Sequence, residues 1–496
     1  MKQGYIPKDQ RKTILFLADD LRLPSGIGTM TRELVVGNAH VYNFVHVAAA
    51  INHPEVGKIL DLSGDINKEV GIEDSSVLIY PYNGYGDADL VRMLMSRHKI
   101  DAIVHFTDPR YWIWLYRMSA EIRQHVPIFY YHIWDDLPAP HYNRPYYESC
   151  DLLMGISKQS VNISRLVLGA DNYVDIDNEE WAKDDTSVNQ LPKVSYVPHG
   201  INEKHFYPME RTNPAVQAMR SKLFNGADPD YVILYNNRNI RRKMTSDVIL
   251  AFMMFHDGLV AKGLKNDVRL VLKTQPVDDN GTDLPATIDA LCPHLVDKII
   301  FDNDRLSSDD MAVLYNSCDT VINIASNEGW GLSSTEALLT GRTLINNVTG
   351  GLQDQCRFED QDGNWIEFDD DFASNHGGRY TKCGIWVKPV FPAAINLQGS
   401  IPTPYIFDDR CDIRDVAEAM NYWFEMSPAD REKCGNAGRE WAISDEAGFT
   451  AENMCARFRQ SIDVTLNNWV APKRFSLYNT QEESARLKDR KTGISI

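Results

Sequence analysis

Short runs of β-branched and aliphatic residues alternate with amphipathic stretches along the first part of the chain. Such runs are typical of buried strands, and the stretches between them repeat apolar residues at helical spacing. The pattern predicts strands over 13–18, 44–50, 77–82, 102–106, 128–133 and 152–156, with helices over 29–36, 89–98, 112–125 and 160–168. This alternation is typical of parallel sheets built from βαβ units, so we predict a doubly wound α/β domain.

The alternation is interrupted by an acidic, polar stretch over 175–185 and restarts after residue 203. A strand that begins near Val194 ends in the turn Pro198-His199-Gly200, which marks the joint between two domains. In the second half, strands are predicted over 231–235, 268–273, 298–301, 320–325 and 342–346. We therefore expect two Rossmann-like domains facing a cleft, over 1–203 and 204–450.

The regular pattern fails over about 355–409. A structureless loop of that length is uncommon in a compact domain, so we predict an insert rich in β-hairpins. Asp362-Gly363 is a suitable hairpin turn within it. The segment over 451–496 is expected to contain a C-terminal helix that returns to the first domain, followed by a charged tail.

Composition narrows the class of protein. The chain has 496 residues, of which 43% are hydrophobic and 24% charged, as in globular proteins. The formal net charge of −18 argues against a protein that coats nucleic acid. The eight cysteines include no Cys-x-x-Cys pair, and no apolar run approaches the ~18 residues of a membrane span. With no signal-peptide pattern at the start, we expect a cytoplasmic protein.

Two carboxylates lie where the predicted strand over 320–325 meets the next helix. Glu328 is on the turn, and Glu336 comes eight positions later, with Gly329 and Gly331 between them. Ligands bind at such strand-to-helix turns in open α/β sheets, so both carboxylates are candidates for one binding crevice. The structural alternative is that Ser333 caps the helix and Glu336 is its capping-box partner.

A basic stretch follows the first strand of the second domain. Arg238 and Lys243 stand at the carboxyl end of that strand, where a guanidinium and an ammonium group are suited to hold a diphosphate. The structural alternative is a solvated basic turn.

The first domain offers a glycine loop and a histidine. Gly26 and Gly28 open a helix, and such a loop lets backbone approach a phosphate or a sugar. The dinucleotide fingerprint requires another glycine where the chain has Thr31, which counts against a nicotinamide dehydrogenase. His132 ends an apolar strand, and the alternatives are a catalytic group or a hydrogen-bonded core residue. Asp135 can orient this histidine, cap the next turn or face water.

Several other site types find no support. The run Asp360-Gln361-Asp362-Gly363 is similar to the start of a calcium loop, but the twelfth position is Asp371 rather than glutamate, which favours a turn. His-x-x-x-His and Gly-x-Ser-x-Gly patterns are missing, so zinc and serine hydrolases are not indicated.

Taken together, five stretches spaced over nearly the whole chain resemble one family. They are Ser25-Gly26-Ile27-Gly28, His132-Ile133-Trp134-Asp135, Val197-Pro198-His199-Gly200-Ile201-Asn202, Arg238 with Lys243, and Glu328 with Glu336 ahead of Gly350-Gly351. In order and context they are similar to the retaining, nucleotide-sugar-dependent glycosyltransferases of the GT-B fold, of the family-four type. The insert over 355–409 departs from the family pattern.

The resemblance implies a role for each matched residue. Arg238 and Lys243 would neutralise the diphosphate of the donor, most often a uridine one. Glu328 would hold the donor sugar, Glu336 the ribose, and His132 would face the anomeric carbon. The implied donor-binding set is Gly26, Gly28, Arg238, Lys243, Glu328, Gly329, Gly331, Leu332 and Glu336, with no metal and no further cofactor required.

A fainter resemblance bears on the acceptor. The runs over 19–26, 237–243 and 349–355 look like those of phage-encoded transferases that glycosylate hydroxymethylated pyrimidines in DNA. Hydroxymethylcytosine in DNA is therefore a candidate acceptor, in the host cytoplasm, and the net charge weighs against it. The alternatives are a glycan, lipid or small-molecule acceptor, or a non-catalytic module that binds sugar nucleotides. Donor sugar and oligomeric state are not indicated.

Overall fold

The computed structural model describes residues 4–177, 188–369 and 374–472. Within these ranges the chain forms a nine-stranded sheet, a six-stranded sheet and a two-stranded hairpin. Most of the acidic stretch over 175–185, Asp371 and the charged tail over 481–491 lie outside the described residues.

The nine-stranded sheet organises the first domain. Its strands are β1 Lys12–Asp19, β2 Tyr42–Ala50, β3 Leu60–Asp61, β4 Val77–Asn83, β5 Ala102–Phe106, β6 Ile128–His132, β7 Leu152–Gly155, β8 Val174–Asp175 and β9 Lys193–Tyr196. Their order in the sheet is β3-β4-β2-β1-β5-β6-β7-β9-β8, and every pair is parallel except β3 with β4.

Helices cover both faces of this sheet. They are α1 Gly26–Asn38, α2 Ser63–Val70, α3 Ala88–Arg97, α4 Ile113–Arg117, α5 Ser119–Ile122, α6 Arg144–Tyr147 and α7 Lys158–Leu168. Along β1, Ile14 and Phe16 enter one hydrophobic core while Leu15 and Leu17 enter the other. A strand buried on both faces needs apolar residues at successive positions, which explains its continuous apolar run.

The six-stranded sheet organises the second domain and is wholly parallel, in the order β12-β11-β10-β13-β14-β15. Its strands are β10 Tyr231–Asn236, β11 Val268–Lys273, β12 Ile299–Asp302, β13 Thr320–Asn323, β14 Thr343–Asn347 and β15 Val387–Val390. The helices of this half are α8 Pro214–Leu223, α9 Thr245–Ala261, α10 Leu284–Leu291, α11 Ser308–Asn316, α12 Leu332–Leu339, α13 Leu352–Cys356, α14 Ile413–Glu425 and α15 Pro428–Ala442.

The insert contains the predicted hairpins. Glu359 pairs with Trp365 across a turn that includes Gly363, whose φ is 85°. A longer hairpin follows, formed by β16 Pro392–Ser400 and β17 Thr403–Cys411. The insert also supplies β15, which extends the parallel sheet, so this segment is an integral part of the second domain.

The last described helix, α16 Ala451–Asn468, packs against α1 of the first domain. The Tyr42 hydroxyl donates a hydrogen bond of 2.7 Å to Asp463, and Arg459 donates one of 2.9 Å to the side-chain oxygen of Asn38. The chain therefore ends, within its described part, by returning to the domain where it began.

Among the described residues, the helical segment Arg241–Ala261 is long and apolar enough to cross a membrane by length and composition. It includes α9, whose Val248, Phe252 and Phe255 are buried in the core of the second domain. A core helix of a parallel α/β sheet has this composition, so hydropathy alone does not assign the segment to a membrane.

Candidate active site

The carboxyl ends of the two sheets meet across an interdomain crevice. A Cβ built on Gly26, in the loop after β1, would lie 3.5 Å from Cδ1 of Leu332 in the second domain. One built on Gly329, after β13, would lie 3.1 Å from the carbonyl oxygen of Ile133 and 3.9 Å from a carboxylate oxygen of Asp135. The glycines after β1 and β13 thus let the two domains approach each other closely.

The glycine loop after β1 has the conformation expected of a helix start. The Ser25 hydroxyl accepts a hydrogen bond of 2.9 Å from the N–H of Gly28, which caps α1. A Cβ on Gly28 would lie 2.5 Å from the carbonyl oxygen of Leu23, so a side chain at this position would collide with the loop backbone.

The capping-box alternative for Ser333 and Glu336 is wrong. α12 is capped by Gly331, whose φ of 89° puts it in the left-handed region, and no side chain caps the helix. The carboxylate of Glu336 instead accepts a 2.5 Å hydrogen bond from the Tyr315 hydroxyl on α11. It also lies 3.4 Å from the side-chain nitrogen of Asn236, at the end of β10.

Burial raises the pKa of Glu336 to about 7, although the Tyr315 hydroxyl opposes that shift. The side chain nevertheless keeps some solvent exposure. Near neutral pH a single carboxyl group there can therefore serve as an ionised acceptor or as a protonated donor.

At the base of the crevice, Lys243 and Glu328 form a hydrogen-bonded ion pair, and both side chains are about 10% exposed. Burial lowers the pKa of Lys243 against the opposing effect of Glu328. For Glu328, burial alone would raise the pKa, but the Lys243 and Arg242 cations outweigh it and hold the pKa below its ordinary value. The lowered pKa of Glu328 keeps that carboxyl group ionised at neutral pH.

Arg242 contributes a second cation to the crevice. Its guanidinium donates a 2.6 Å hydrogen bond to the carbonyl of Asn327 and lies 3.9 Å from Glu328. Sequence reasoning singled out Arg238 and missed Arg242. The signal available was its position directly before Lys243, in the short turn Arg241–Lys243 that leads into α9.

The first domain places two carboxylates opposite these cations. The side-chain nitrogen of Asn327 donates a 2.7 Å hydrogen bond to Asp136. Burial raises the pKa of Asp135 to about 6, with Arg242 opposing, and burial together with Asp135 raises the pKa of Asp136 well above its ordinary value. The carboxyl groups of Asp135, Asp136 and Glu328 therefore lie around the side chains of Arg242 and Lys243.

Two predicted site residues lie outside this cluster. Arg238 is exposed and forms a 2.9 Å ion pair with Asp278, so its guanidinium does not share the partners of Lys243. His132 is fully buried, its Nε2 lies 2.7 Å from the Tyr147 hydroxyl, and burial lowers the pKa of the ring to about 3. The ring lies beneath the crevice surface, which agrees with the core alternative for this histidine.

Within the described residues, no set of three His, Cys, Asp or Glu ligand atoms converges in this crevice. The crevice instead combines ammonium, guanidinium and carboxylate groups. Such a set suits an anionic ligand that also carries hydroxyl groups.

Solved structures match almost the whole chain, whereas no family model matches it. HepE from Anabaena, in complex with UDP and glucose, aligns with 91% of this chain and 100% of its own, with a TM-score of 0.61 and 12% identity. Sucrose-phosphate synthase from Thermosynechococcus elongatus aligns with 91% of this chain and 98% of its own, with a TM-score of 0.62 and 14% identity. This chain has the GT-B fold.

The fold class predicted from the sequence, two Rossmann-like domains facing a cleft, is thereby confirmed. Trehalose-6-phosphate synthase OtsA also shares the GT-B fold, with a TM-score of 0.59 and 11% identity over 93% of this chain and 100% of its own. Among curated proteins, the alpha-monoglucosyldiacylglycerol synthase of Acholeplasma laidlawii is 26% identical over 149 residues. That match spans 30% of this chain and about a third, 34%, of the relative.

Proposed function

We propose that this protein is a retaining glycosyltransferase that moves a hexosyl or pentosyl group from a UDP-sugar to an acceptor hydroxyl. The observation that carries the proposal is the pairing of Lys243 with Glu328 at the carboxyl ends of β10 and β13, with Glu336 on the helix that follows β13. Support comes from HepE, solved in complex with UDP and glucose and with UDP-glucose.

In the proposed reaction, the bond between the anomeric carbon and the diphosphate oxygen breaks, and a bond to the acceptor oxygen forms on the same face of the sugar. The proton of the acceptor hydroxyl passes to the departing diphosphate. Negative charge develops on that diphosphate, so Lys243 and Arg242 lower the barrier by preorganised electrostatic stabilisation. Arg238 joins them when it releases Asp278.

Each carboxylate has a separate task in this proposal. Glu328, once Lys243 turns to the diphosphate, accepts hydrogen bonds from the hydroxyls of the donor sugar. Glu336 accepts hydrogen bonds from the ribose, beside Asn236 and Tyr315. The other residues of the predicted donor-binding set place their backbone atoms near the donor. They are Gly26, Gly28, Gly329, Gly331 and Leu332.

The role of His132 at the anomeric carbon stays a prediction. It requires the ring to exchange its contact with Tyr147 for one with the donor. A Tyr147→Phe variant with normal turnover and a His132→Ala variant without it would support that role, whereas equal losses would favour a structural one. The prediction that transfer needs no metal is tested by adding a chelator to the assay.

The proposed acceptor rests on the sequence resemblance. Hydroxymethylcytosine in DNA remains our candidate, and β17, with the neighbouring turn of the first domain, flanks the crevice where an acceptor would enter. Incubation with hydroxymethylated DNA and a panel of UDP-sugars, followed by nucleoside mass analysis, tests it. Unmodified DNA beside active transfer to a glycan or lipid would end this candidate.

The decisive experiment compares UDP with uridine by titration calorimetry on Lys243→Met. We expect UDP affinity to fall by about ten- to hundredfold, because a charge-assisted bond contributes about 1.5–3 kcal/mol, and uridine affinity to change little. The double variant Lys243→Met/Glu328→Gln removes both charges together and avoids leaving a buried carboxylate unpaired.

The matched control is Lys265→Ala, since that lysine is 84% exposed on the same domain. Equal losses for UDP and uridine would refute phosphate binding by Lys243. Normal UDP binding without sugar release from any UDP-sugar would favour the non-catalytic module.

A further inference from the structure

A second cluster of ligating side chains lies on the second domain, away from the crevice. It consists of His256 and Asp257 on α9 and His294 on the short turn Pro293–Leu295 that follows α10. His256 follows Lys243 by 13 positions, which places it roughly 20 Å farther along the helical segment. The cluster is therefore independent of the proposed donor site.

The three side chains converge on one point. Nδ1 of His256 lies 3.1 Å from Oδ1 of Asp257, and Nε2 of His294 lies 2.9 Å from the same oxygen. The ligand atoms of all three residues lie within 4.8 Å of one another. In a tetrahedral site with bonds of ~2.0–2.1 Å, neighbouring ligand atoms stand about 3.3 Å apart, so small side-chain movements suffice to admit an ion.

One side chain of the cluster is buried, and the other two are half-exposed. The side chain of His256 is 7% exposed, whereas those of Asp257 and His294 are each 49% exposed. Within the described part of the chain, Nε2 of His256 is buried and has no hydrogen-bond partner. Nδ1 of this ring faces the Asp257 carboxylate instead, so loss of the Nδ1 proton would turn a lone pair toward an ion that enters from the exposed side.

The ligand atoms of the cluster indicate which class of metal ion it can bind. Two imidazole nitrogens and one carboxylate oxygen suit zinc and similar transition ions, whereas calcium and magnesium prefer oxygen ligands alone. With both rings neutral, the three ligands carry a single negative charge, which complements a divalent cation.

We propose that His256, Asp257 and His294 form a binding site for a transition-metal ion of the zinc class, completed by water. An ion held there links α9 to the turn after α10 and fastens two elements on the same side of the second domain. Its role is structural, because the site lies far from the donor crevice. The sequence pattern alone does not indicate it, since His294 follows Asp257 by 37 positions.

The test is titration of the metal-free, full-length protein with zinc chloride. Calorimetry measures binding, and thermal unfolding measures the effect on stability. We expect one tight site with a rise in the unfolding midpoint, and at least a tenfold loss of affinity in both His294→Ala and Asp257→Asn. Both substituted residues are half-exposed, so neither change endangers the fold.

The control is His205→Ala, because His205 and Asp309 form an exposed His–Asp pair of 2.7 Å with no second histidine grouped with them among the described residues. Cobalt loading adds a spectroscopic readout, since visible absorption bands report ligation by the protein. Zinc binding that His294→Ala leaves unchanged, or that His205→Ala weakens equally, would overturn the site, as would the lack of any binding.

Discussion

Glu336 combines a partly exposed carboxyl group with a pKa that burial raises to about 7. If it accepts hydrogen bonds from a ribose, the ionised form binds, so binding strengthens as pH rises through that pKa. Uridine has no group of its own that titrates there. We expect its affinity to increase up to about tenfold between about pH 6 and pH 8, measured by calorimetry.

Two variants sharpen this prediction. Glu336→Gln should bind uridine more weakly and without pH dependence. Tyr315→Phe removes the hydrogen bond that lowers the pKa of Glu336, so the midpoint of the wild-type curve should move to higher pH. A flat pH profile for the wild-type protein would show that this carboxylate does not hold the ribose.

The same carboxyl group affects stability in the opposite direction. Its folded pKa lies above the ordinary value of 4.5, so the folded state binds more protons than the unfolded state between about pH 4.5 and pH 7. The free energy of unfolding therefore falls as pH rises through that range. Thermal unfolding of Glu336→Gln should lose this part of the pH dependence, and an unchanged slope would contradict the assignment.

At the level of elements, the domain joint depends on a glycine. A Cβ on Gly200 would lie 2.1 Å from the carbonyl oxygen of Thr450, where the backbone of Ile201 pairs with the start of α16. Gly200→Ala must push these backbones apart, and we expect it to lower the free energy of unfolding by about 1–3 kcal/mol. Chemical denaturation measures the change.

The matched control is Gly258→Ala on α9, where an added Cβ meets no atom within 4 Å among the described residues. This helical position should gain about 0.5–1 kcal/mol in the free energy of unfolding, since alanine loses less backbone entropy than glycine. If both substitutions change stability in the same direction, close packing at the joint is not the cause.

The buried strands were predictable because their apolar runs reflect burial on both faces, and β5 was placed at its observed bounds. The helix α15 is not among the predicted elements, and its Gly435 and Gly438 lower the helix propensity of the segment. The structure explains both glycines by close contacts. A Cβ on Gly435 would lie 2.0 Å from the carbonyl of Gly341, and one on Gly438 would lie 2.8 Å from the Trp386 side chain.

The sequence predicted the candidate site residues but not the contacts that they make. Motif spacing indicated Lys243, Glu328 and Glu336, because these types stand at the carboxyl ends of strands. It did not indicate that Lys243 and Glu328 pair with each other, or that Arg242 rather than Arg238 lies beside them. These contacts depend on burial and on charged residues of the first domain. Those residues are distant in the sequence, so the sequence does not show that they lie nearby.

At the scale of the molecule, the two domains are joined by polar contacts at both sides of the crevice. On one side, the N–H of Phe407 in β17 donates a 2.6 Å hydrogen bond to the carbonyl of Leu137 in the first domain. On the other, Asp354 in α13 accepts 2.9 Å hydrogen bonds from the N–H of Lys158 and from the Tyr196 hydroxyl. Apolar side chains of both domains also belong to one continuous hydrophobic cluster, so these hydrogen bonds add to apolar packing between the domains.

The side-chain amide of Asn327 connects the two domains at the crevice. Its side-chain nitrogen donates to Asp136 at 2.7 Å and also to the carbonyl of Phe407. Asn327→Asp replaces this donor with a carboxyl group, so both hydrogen bonds are lost when the new group is ionised, and an open arrangement should be favoured. We expect a larger radius of gyration by small-angle scattering and faster hydrogen exchange over 135–142 and 403–411, with an unchanged far-ultraviolet spectrum.

The control for that experiment is Asn467→Asp, which adds the same charge at an exposed position of α16. Saturating UDP should partly restore closure in Asn327→Asp, because a bound diphosphate draws Lys243 and Arg242 toward the crevice and stabilises the closed state by mass action. Unchanged exchange in Asn327→Asp, or equal changes in both variants, would show that the hydrogen bonds of Asn327 are not needed to hold the domains together. In that event the charges of the crevice serve the ligand and not the closure.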